Sequence, residues 1–585
     1  MAYQVKILPQ KRKIKAKDNE SLVEKLHEAG INLSTYCNKR GLCGKCFVEI
    51  VEGLRPRLGK REKFLLAHKG LNKNYRLACL YKIKGNLSIT IPEESIIQEA
   101  FILKTGIQIP ISLDSAVKKY HLKLEKPSIV NPYSISELLE TSLKVKDLNI
   151  SLEQLKELQN IIAQSKLFVT AAVYKNREIL NIEQNNTVNE NFGIAVDLGT
   201  TTVVVELVNL NTGESIDLLT APNSQLRYGS DVISRISFAI TEQKNLVKLR
   251  NSILQTLNQM IEKLLAKNHI HKSHVYEIVV AGNSSMNHIL LGLPVKSLAR
   301  APFHSVFSRL TEQSAQGLGF KINDYAKVYL SPNIKSFVGG DVSAGLLASD
   351  FINRKGNFLF IDLGTNGEIV LKTENRLMVT STAAGPAFEG MNISCGTLAL
   401  PGAIYKAENE DQFKLFTLGN KRAIGICGTG LIDLIALLLD KKKISAKGSI
   451  QDSKKRIPIT ENIWITQKDI REMQLAIAAI KTGIKMILKE NRLNKEDLDG
   501  IFIAGAFGNY LSIENSMKIG LLPWIDEKKI VFIGNSSLAG ARALLLSQPA
   551  RKRVNAMIKR VRYLSLAKNP RFQKYFIDSI EFQTY

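Results

Sequence analysis

No apolar run in this 585-residue chain approaches the ~20 residues that a bilayer-spanning helix needs, so a transmembrane helix is excluded. The opening stretch, MAYQVKILPQKRK, lacks the apolar core of a secretory signal, and a cytoplasmic protein is expected. The Walker pattern GxxxxGK[ST] is absent, which excludes a P-loop ATPase. Acidic residues are scarce, 54 against 80 Lys and Arg, leaving a net charge of +26. Lys, Ile and Asn are used heavily throughout, so the charge reads as a chain-wide bias and no nucleic-acid partner is expected. Its field still favours acidic partners. With 45% apolar and 23% charged residues the chain is globular, and its length suggests about four domains.

Cysteine is also rare, six residues, and unevenly placed. Four fall between Cys37 and Cys79, whereas Cys395 and Cys427 lie far off beside glycines in apolar contexts and read as small buried residues. In a reducing compartment, clustered cysteines bind metal or carry redox chemistry more often than they form disulfides. The spacing is Cys37-x5-Cys43-x2-Cys46, then Cys79 within RLACL. One residue more in the first gap separates this from the plant-type 2Fe-2S spacing C-x4-C-x2-C…C. Gly41 and Gly44 let the loop curl so that backbone N–H groups can face sulfur. A structural zinc site or unrelated buried cysteines are the alternatives, though zinc ribbons usually pair two CxxC knuckles and only one is present. Around the cysteines, YQVKIL, a strand near Ile14, the helix NESLVEKLHEAG with Ser21 as its cap, FVEIV and a last strand before Pro92 predict a small β-grasp α+β domain over 1–92. It carries 20 Lys and Arg against 7 Asp and Glu, or +13.

Residues 93–125 read as a linker that packs on something. A small α/β domain follows over 126–190, with a helix SLEQLKELQNIIAQ and strands at LFVTAAVY and EILNIE. Polar NIEQNNTVNEN marks the next boundary. HIHKSH, with His269, His271 and His274, reads as a solvated loop rather than a zinc site. RKRVNAMIKRVR (551–562) reads as a helix with one packed and one solvated basic face.

From 191 to 585 the dominant signal is a repeat. GIAVDLGTTTVVVEL (193–207) and FLFIDLGTNGEIVL (358–371) share DLGT-x-x-x-x-V, a buried strand, a Gly-Thr turn and a return strand. Two such hairpins facing each other can clamp phosphates between backbone N–H groups and hydroxyls. Asp197 and Asp362 would hold Mg²⁺ directly or through water. Gly199, Thr200, Thr201 and Thr202 on one loop, and Gly364, Thr365 and Asn366 on the other, would surround the phosphates.

Together with IFIAGAFGNY, IVVAGNSSMNHIL and ICGTGLIDLIALLL, these hairpins resemble the superfamily of actin, heat-shock ATPases and sugar kinases. The resemblance implies a two-lobed ATPase, an adenosine loop at Gly505, Ala506, Phe507, Gly508 and Asn509, and AGNSS and ICGTG at the elements linking the lobes. An N-terminal 2Fe-2S domain, similar to ferredoxins in CNKRGLCGKC and RLAC, joined to such an ATPase resembles the reductive activators of corrinoid proteins. SQLRYGSDVISRI, VGGDVSAG and TAAGPAFEGMNISCGT look like that family's stretches too. The resemblance implies ATP-dependent reduction of an inactive Co(II) cobamide to Co(I). The cofactors would be a 2Fe-2S cluster on Cys37, Cys43, Cys46 and Cys79, ATP and Mg²⁺. The partners would be a corrinoid protein with an acidic docking surface and a low-potential electron donor, a homodimer remaining open. The alternatives are a small-molecule kinase with an accessory cluster and an electron-transfer protein with an inactive nucleotide site.

Overall fold

The computed structural model describes residues 2–585 apart from 10–11, 30, 32, 34–40, 42–43, 45, 69–70, 93–94, 96–111, 127, 131, 165–166, 311, 411–412, 453–454 and 506–509. The N-terminal unit contains β1 (Ala2–Leu8), β2 (Arg12–Lys17), α1 (Leu22–Glu28), β3 (Phe47–Glu52), α2 (Lys60–His68), β4 (Tyr75–Leu77) and β5 (Leu87–Thr90). Its sheet runs β2-β1-β5-β3-β4, with β1 and β5 parallel and the other pairs antiparallel. That is the expected β-grasp arrangement. Alternate strand residues Val5, Ile7, Val48, Ile50 and Ile89 bury one face of the sheet against Leu22 and Leu26 of α1. Ser21 occupies the cap position of α1, but its side chain makes no capping bond. The first helical N–H groups go instead to the chain around Cys79: Leu22 N to Tyr81 O at 3.1 Å and Val23 N to Ala78 O at 3.2 Å.

The small second unit starts earlier than expected. β6 (Val117–Lys123), placed within the linker by sequence, is the first strand of the sheet β6-β7-β8, whose other members are β7 (Phe168–Tyr174) and β8 (Glu178–Gln184). Helices α3 (Ile135–Leu143) and α4 (Leu152–Gln164) cover it, and Leu139, Leu158 and Ile162 reach its core. The strand was hidden because Lys119 stands at a buried position, where its ammonium meets Glu183 at 2.6 Å. A paired lysine interrupts the hydrophobic alternation by which a half-buried strand is read.

Two lobes follow, built from the same plan. Lobe 1 holds β9 (Phe192–Leu198), β10 (Thr202–Asn209), β11 (Ser215–Pro222), α5 (Val232–Thr241), α6 (Gln243–Lys267), β12 (Val275–Gly282), α7 (Ser284–Leu291), α8 (Lys296–Ala299), β13 (Gln313–Ser314), α9 (Ala315–Leu318) and β14 (Lys327–Leu330). After α10 (Gly340–Ala348), lobe 2 holds β15 (Phe358–Leu363), β16 (Gly367–Lys372), β17 (Leu377–Thr382), β18 (Ala403–Glu408), β19 (Lys414–Thr417), β20 (Gly425–Ile426), α11 (Gly428–Asp440), β21 (Arg456–Pro458), β22 (Trp464–Thr466), α12 (Gln467–Glu490), β23 (Gly500–Ala504), α13 (Ile513–Lys518) and β24 (Ile530–Gly534). The chain ends in α14 (Ser536–Leu546), α15 (Gln548–Arg560), β25 (Val561–Tyr563) and α16 (Phe572–Ile577). The sheets run β11-β10-β9-β12-β14-β13 and β24-β23-β15-β16-β17-β25. In each, a three-strand antiparallel meander is extended by parallel strands, β12 beside β9 and β23 beside β15. The repeat read in the DLGT hairpins therefore extends to whole sheets.

The elements joining the lobes are not those expected. AGNSS starts α7, whose Met286, Ile289 and Leu290 lie in the lobe 1 core, and ICGTG starts α11, which is buried in the lobe 2 core. Helices α10 and α14 do the joining, in one cluster with Ala195 and Val279 of lobe 1 and Phe360, Val370 and Phe502 of lobe 2. They cross in backbone contact: a Cβ on Gly540 would stand 2.1 Å from Ala344 O, and one on Gly345 2.6 Å from Ser536 Oγ. Among the described residues no helix is long and apolar enough to cross a membrane.

Helix α15 buries Val554, Met557 and Ile558 and exposes Lys552, Arg553 and Lys559, as the spacing predicts, but Val561 lies in β25 and Arg551 is fully packed. Arg551 Nη2 meets Glu277 Oε2 at 2.8 Å and Nη1 donates to Tyr174 OH at 3.2 Å, tying α15, lobe 1 and the small domain together. Removing one partner strands a buried charge. Arg551→Ala is therefore expected to destabilise the chain by about 3–5 kcal/mol in chemical denaturation. A loss under 1 kcal/mol would show the pair to be dispensable. Of the HIHKSH histidines, His269 and His271 are exposed as expected, whereas His274 is held by Glu190 at 2.6 Å and lies 3.6 Å from Glu183.

Candidate functional site

The two DLGT turns face each other across a cleft of about 890 Å³. Asp197 stands next to last in β9, paired with Val204 and Ala281, and Asp362 stands next to last in β15, paired with Glu368 and Ala504. Both carboxylates sit one residue before the strand end and so reach the same cavity, although the turns differ by a residue: Leu198 pairs with Val203, Leu363 with Gly367. Gly199, Thr200, Thr201 and Thr202 line one wall and Gly364, Thr365 and Asn366 the other, so all nine expected phosphate-loop residues come together. Gly505 lines it too, and the chain passes so close to the second loop there that a Cβ would lie 2.5 Å from Leu363 O. Ala506, Phe507, Gly508 and Asn509, expected in the adenosine loop, lie outside the described residues.

Several functional groups escaped the sequence reading. Glu389, from AAGPAFEG, accepts hydrogen bonds from Thr201 on one loop and from Thr365, at 2.7 Å, on the other. Asp341, at the start of α10, and Glu368 also line the cleft. A second repeated device was legible but unread: GNSS occurs at 282–285 and 534–537, each time between a strand and a helix. Both asparagines are N-caps, accepting from Met286 N and Leu538 N at 3.0 Å. Their amides turn to the first loop, Asn283 to Thr200 Oγ1 and Asn535 to Asp197 Oδ2, each at 2.9 Å. Beneath that loop lies the fully buried Arg235, donating to Thr200 O, to Gly229 O at 2.9 Å and to Gln225 at 3.2 Å.

The cleft is strongly acidic, and this shows in proton affinity. Burial pushes Asp197 up to about 7, with Asp341 adding to the effect and Asn535 opposing it. Burial, then the Asp341 and Asp197 charges, push Asp362 up to about 7. Asp341 rises to about 6, and Glu368 and Glu389 also rise, burial leading in each case. Arg235 opposes the rise at Glu389, but for Asp197, Asp341, Asp362 and Glu368 no cation is among the causes. Among the described residues no three Asp, Glu, His or Cys side chains form a complete metal cage. Mg²⁺, which keeps several waters and takes one or two carboxylates plus substrate phosphates, fits this donor set.

A carboxyl whose proton affinity is raised by folding contributes stability that is fully present below its unfolded pKa and is lost as pH rises through the folded value. For Asp197 and Asp362 that window runs from about 4 to 7. Without metal, thermal stability is expected to fall across the upper half of this window. The rise in melting temperature on adding Mg²⁺ should grow from pH 5.5 to 8 and shrink in Asp362→Asn. An Mg²⁺ effect independent of pH would show that the ion does not bind these carboxylates.

The cysteine region is described in part. Cys37 and Cys43 lie outside the described residues. Cys46, 1% exposed, precedes β3, and Cys79 follows β4; the bond from Ala78 N to Cys46 O, 2.8 Å, holds the two segments side by side. Gly41 (φ +64°) and Gly44 (φ +65°) bend the loop as expected, and a Cβ on Gly41 would strike Leu80 at 2.8 Å. Soft cysteine thiolates near glycines at positive φ fit an iron–sulfur cluster. Cys427 is buried, whereas Cys395 is only half-buried.

A ferredoxin-type β-grasp unit followed by a duplicated two-lobed cleft defines an iron–sulfur protein fused to an actin-like nucleotide-binding domain. Family models match in the same order: the 2Fe-2S iron–sulfur cluster binding domain over residues 5–84, the RACo linker region over 106–189, the RACo middle region over 192–354 and the C-terminal ASKHA domain of RACo over 356–585. The chain is similar to the corrinoid activation enzyme RamQ of Eubacterium limosum, 31% identical over 94% of this chain and 95% of that one. It is also similar to the [Co(II) methylated amine-specific corrinoid protein] reductase of Methanosarcina barkeri, 29% identical over 67% of this chain and 77% of that one. A solved reductive activator for corrinoid, iron–sulfur protein superposes with a TM-score of 0.76 at 32% identity, covering 100% of this chain and 98% of that one. The chain belongs to the RACo family of corrinoid reductive activators.

Proposed function

We propose that this protein couples MgATP to the reduction of a partner's inactive Co(II) corrinoid to Co(I). The electron comes from a low-potential donor through a 2Fe-2S cluster on Cys37, Cys43, Cys46 and Cys79. The observation that carries this reading is the union, on one chain, of a cluster-binding domain and a cleft whose two walls present matched DLGT loops. The cluster supplies one-electron transfer at about −400 mV, the plant-type value. Co(I) formation calls for a lower potential, and each 100 mV of deficit disfavours the transfer by about 2.3 kcal/mol. A ferredoxin alone would leave most cobalt oxidised. Nucleotide bound between lobes that pivot on α10 and α14 can favour one conformation of the complex. Asp197 and Asp362 would place Mg²⁺, while Thr200, Thr201, Thr365 and Asn366 orient the phosphates. The test is anaerobic: protein, reductant and a Co(II) corrinoid protein, with Co(I) followed by absorbance. Co(I) should accumulate with MgATP and not without it. Equal accumulation in both would leave a plain electron carrier.

The charge of the cluster domain bears on partner choice. Its +13 includes Lys39, Arg40 and Lys45 among the cysteines. Surface charge acts mainly on encounter rate and is screened beyond a Debye length of about 8 Å at physiological salt. Activation should slow as salt rises while partner-free ATP hydrolysis changes less, and Lys39→Glu with Arg40→Glu should slow electron delivery without bleaching the cluster. A flat salt profile would make these charges part of the chain-wide bias.

A further inference from the structure

A second concavity, of about 460 Å³, opens on lobe 2, and none of its lining residues is shared with the nucleotide cleft. Three segments build it: the loop before β15, the turn between β16 and β17, and the C-terminal end of α15. Arg354, Lys355, Lys372, Arg376 and Arg560 line it, against the single carboxylate of Glu374 at its exposed rim. Among the described residues, no carboxylate is within ion-pair distance of any of these five cations. Lys372 is 8% exposed, and its ammonium has one long hydrogen bond, to Gly356 O at 3.5 Å. Burial pushes its pKa down, Glu374 opposing and Arg560 adding to the shift. Among other buried cations, Lys119 and Arg551 each meet a carboxylate, at 2.6 and 2.8 Å, whereas Arg235 and Lys481 donate to oxygens of the chain at normal distances, Lys481 to Gln583 O at 2.7 Å. A partly buried ammonium with one long bond to the chain, in a cavity walled by further cations, is poised for an anion. The buried Leu377 and Met557 add an apolar wall.

We propose that this concavity binds a small organic phosphate, its phosphate groups held by Lys372, Arg376 and Arg560 and its apolar part against Leu377 and Met557. Guanidinium forks suit phosphate oxygens bidentately, and a volume of a few hundred cubic ångström suits a small ligand rather than a protein surface. Strand β16 runs between the two sites, with Glu368 in the nucleotide cleft and Lys372 in this one. The proposal does not depend on the reading of the nucleotide cleft.

The test is calorimetric titration of the full chain with inorganic pyrophosphate, with excess MgADP present throughout to occupy the cleft. The parent should bind one pyrophosphate. Arg376→Glu with Arg560→Glu, both at exposed positions, should weaken it at least about tenfold, the scale of hydrogen bonds to a charged group. Arg553→Glu with Lys559→Glu changes net charge equally on α15 outside the concavity, and should weaken it less than about threefold by field alone. Lys372→Met should abolish binding; should that variant fail to fold, the exposed pair still decides. Absence of binding in the parent, or equal weakening in both double variants, would overturn the proposal. Tighter binding of a polyglutamate peptide than of pyrophosphate would also overturn it, in favour of an acidic protein segment.

Discussion

Cys79→Ala is expected to bleach the visible spectrum of the purified protein and to abolish electron delivery, while Cys395→Ala leaves both intact. Cys79 is 33 residues from Cys46 in sequence, yet the Ala78–Cys46 backbone bond brings its segment beside Cys46. Helix α1 fixes the same segment from the other side, its first N–H groups bonded to Ala78 and Tyr81. An alanine there removes a thiolate without loosening the backbone that positions it, so the domain should keep its fold and lose cluster iron. Iron and sulfide counts on the variant, with far-ultraviolet circular dichroism as the control for folding, decide the matter. An unchanged spectrum in Cys79→Ala would remove it from the ligand set, and bleaching by Cys395→Ala would move the centre to the other end of the chain.

Asp362→Ala is expected to reduce ATP hydrolysis by at least about 100-fold, the scale on which a preorganised charged group acts in a closed site. The cluster spectrum should not change, since Asp362 lies in the cleft of the lobes. Asp197→Ala should show the same direction, because the two carboxylates occupy equivalent places in duplicated hairpins. Glu389 deserves a separate variant, for its role spans both loops. Glu389→Gln keeps an oxygen for one threonine but removes the charge and the basicity. Hydrolysis should then fall about 100-fold or more, with nucleotide affinity largely retained, if a proton leaves water at this carboxylate. A fall in affinity with kcat unchanged would instead make Glu389 a brace for the loops. Hydrolysis that survives both Asp197→Ala and Asp362→Ala would remove the phosphate-loop assignment.

What could be read from the sequence was what is local. Three closely spaced cysteines with a fourth in RLACL, and DLGT in two copies, are short motifs whose chemistry travels with their spacing, and the strand–turn–strand around each repeat follows from nearly continuous apolar runs broken by a Gly-Thr turn. Glu389 is different: it lies 188 residues from Thr201 and 24 from Thr365, and only the closing of two lobes brings it to both. Asp341 and Arg235 likewise acquire their roles from tertiary placement. Their stretches were recognised as family-like without any signal of what each side chain touches. GNSS was a missed opportunity, since a repeated tetrapeptide between strand and helix is a local pattern with a known capping use. β6 was lost because Lys119 is buried through its ion pair, and periodicity rules treat lysine as solvent-facing.

The crossing of α10 and α14 has a mechanical consequence. Most helix pairs meet through side chains that can change rotamer, so a small rotation of one is absorbed as slack before the other moves. At Gly540 there is no such cushion, because its backbone rests against the backbone of α10 at Ala344, and at Gly345 only the short Ser536 side chain intervenes. The joint is therefore stiff, with little play between the two helices. Any turn of lobe 2 would reach lobe 1 with little slack, and its displacement would grow with distance from the axle. Loops at the cleft, close to that axle, need shift only slightly for surfaces at the rim of the lobes to travel much further. A small shift at the cleft would thereby become a larger one at the rim.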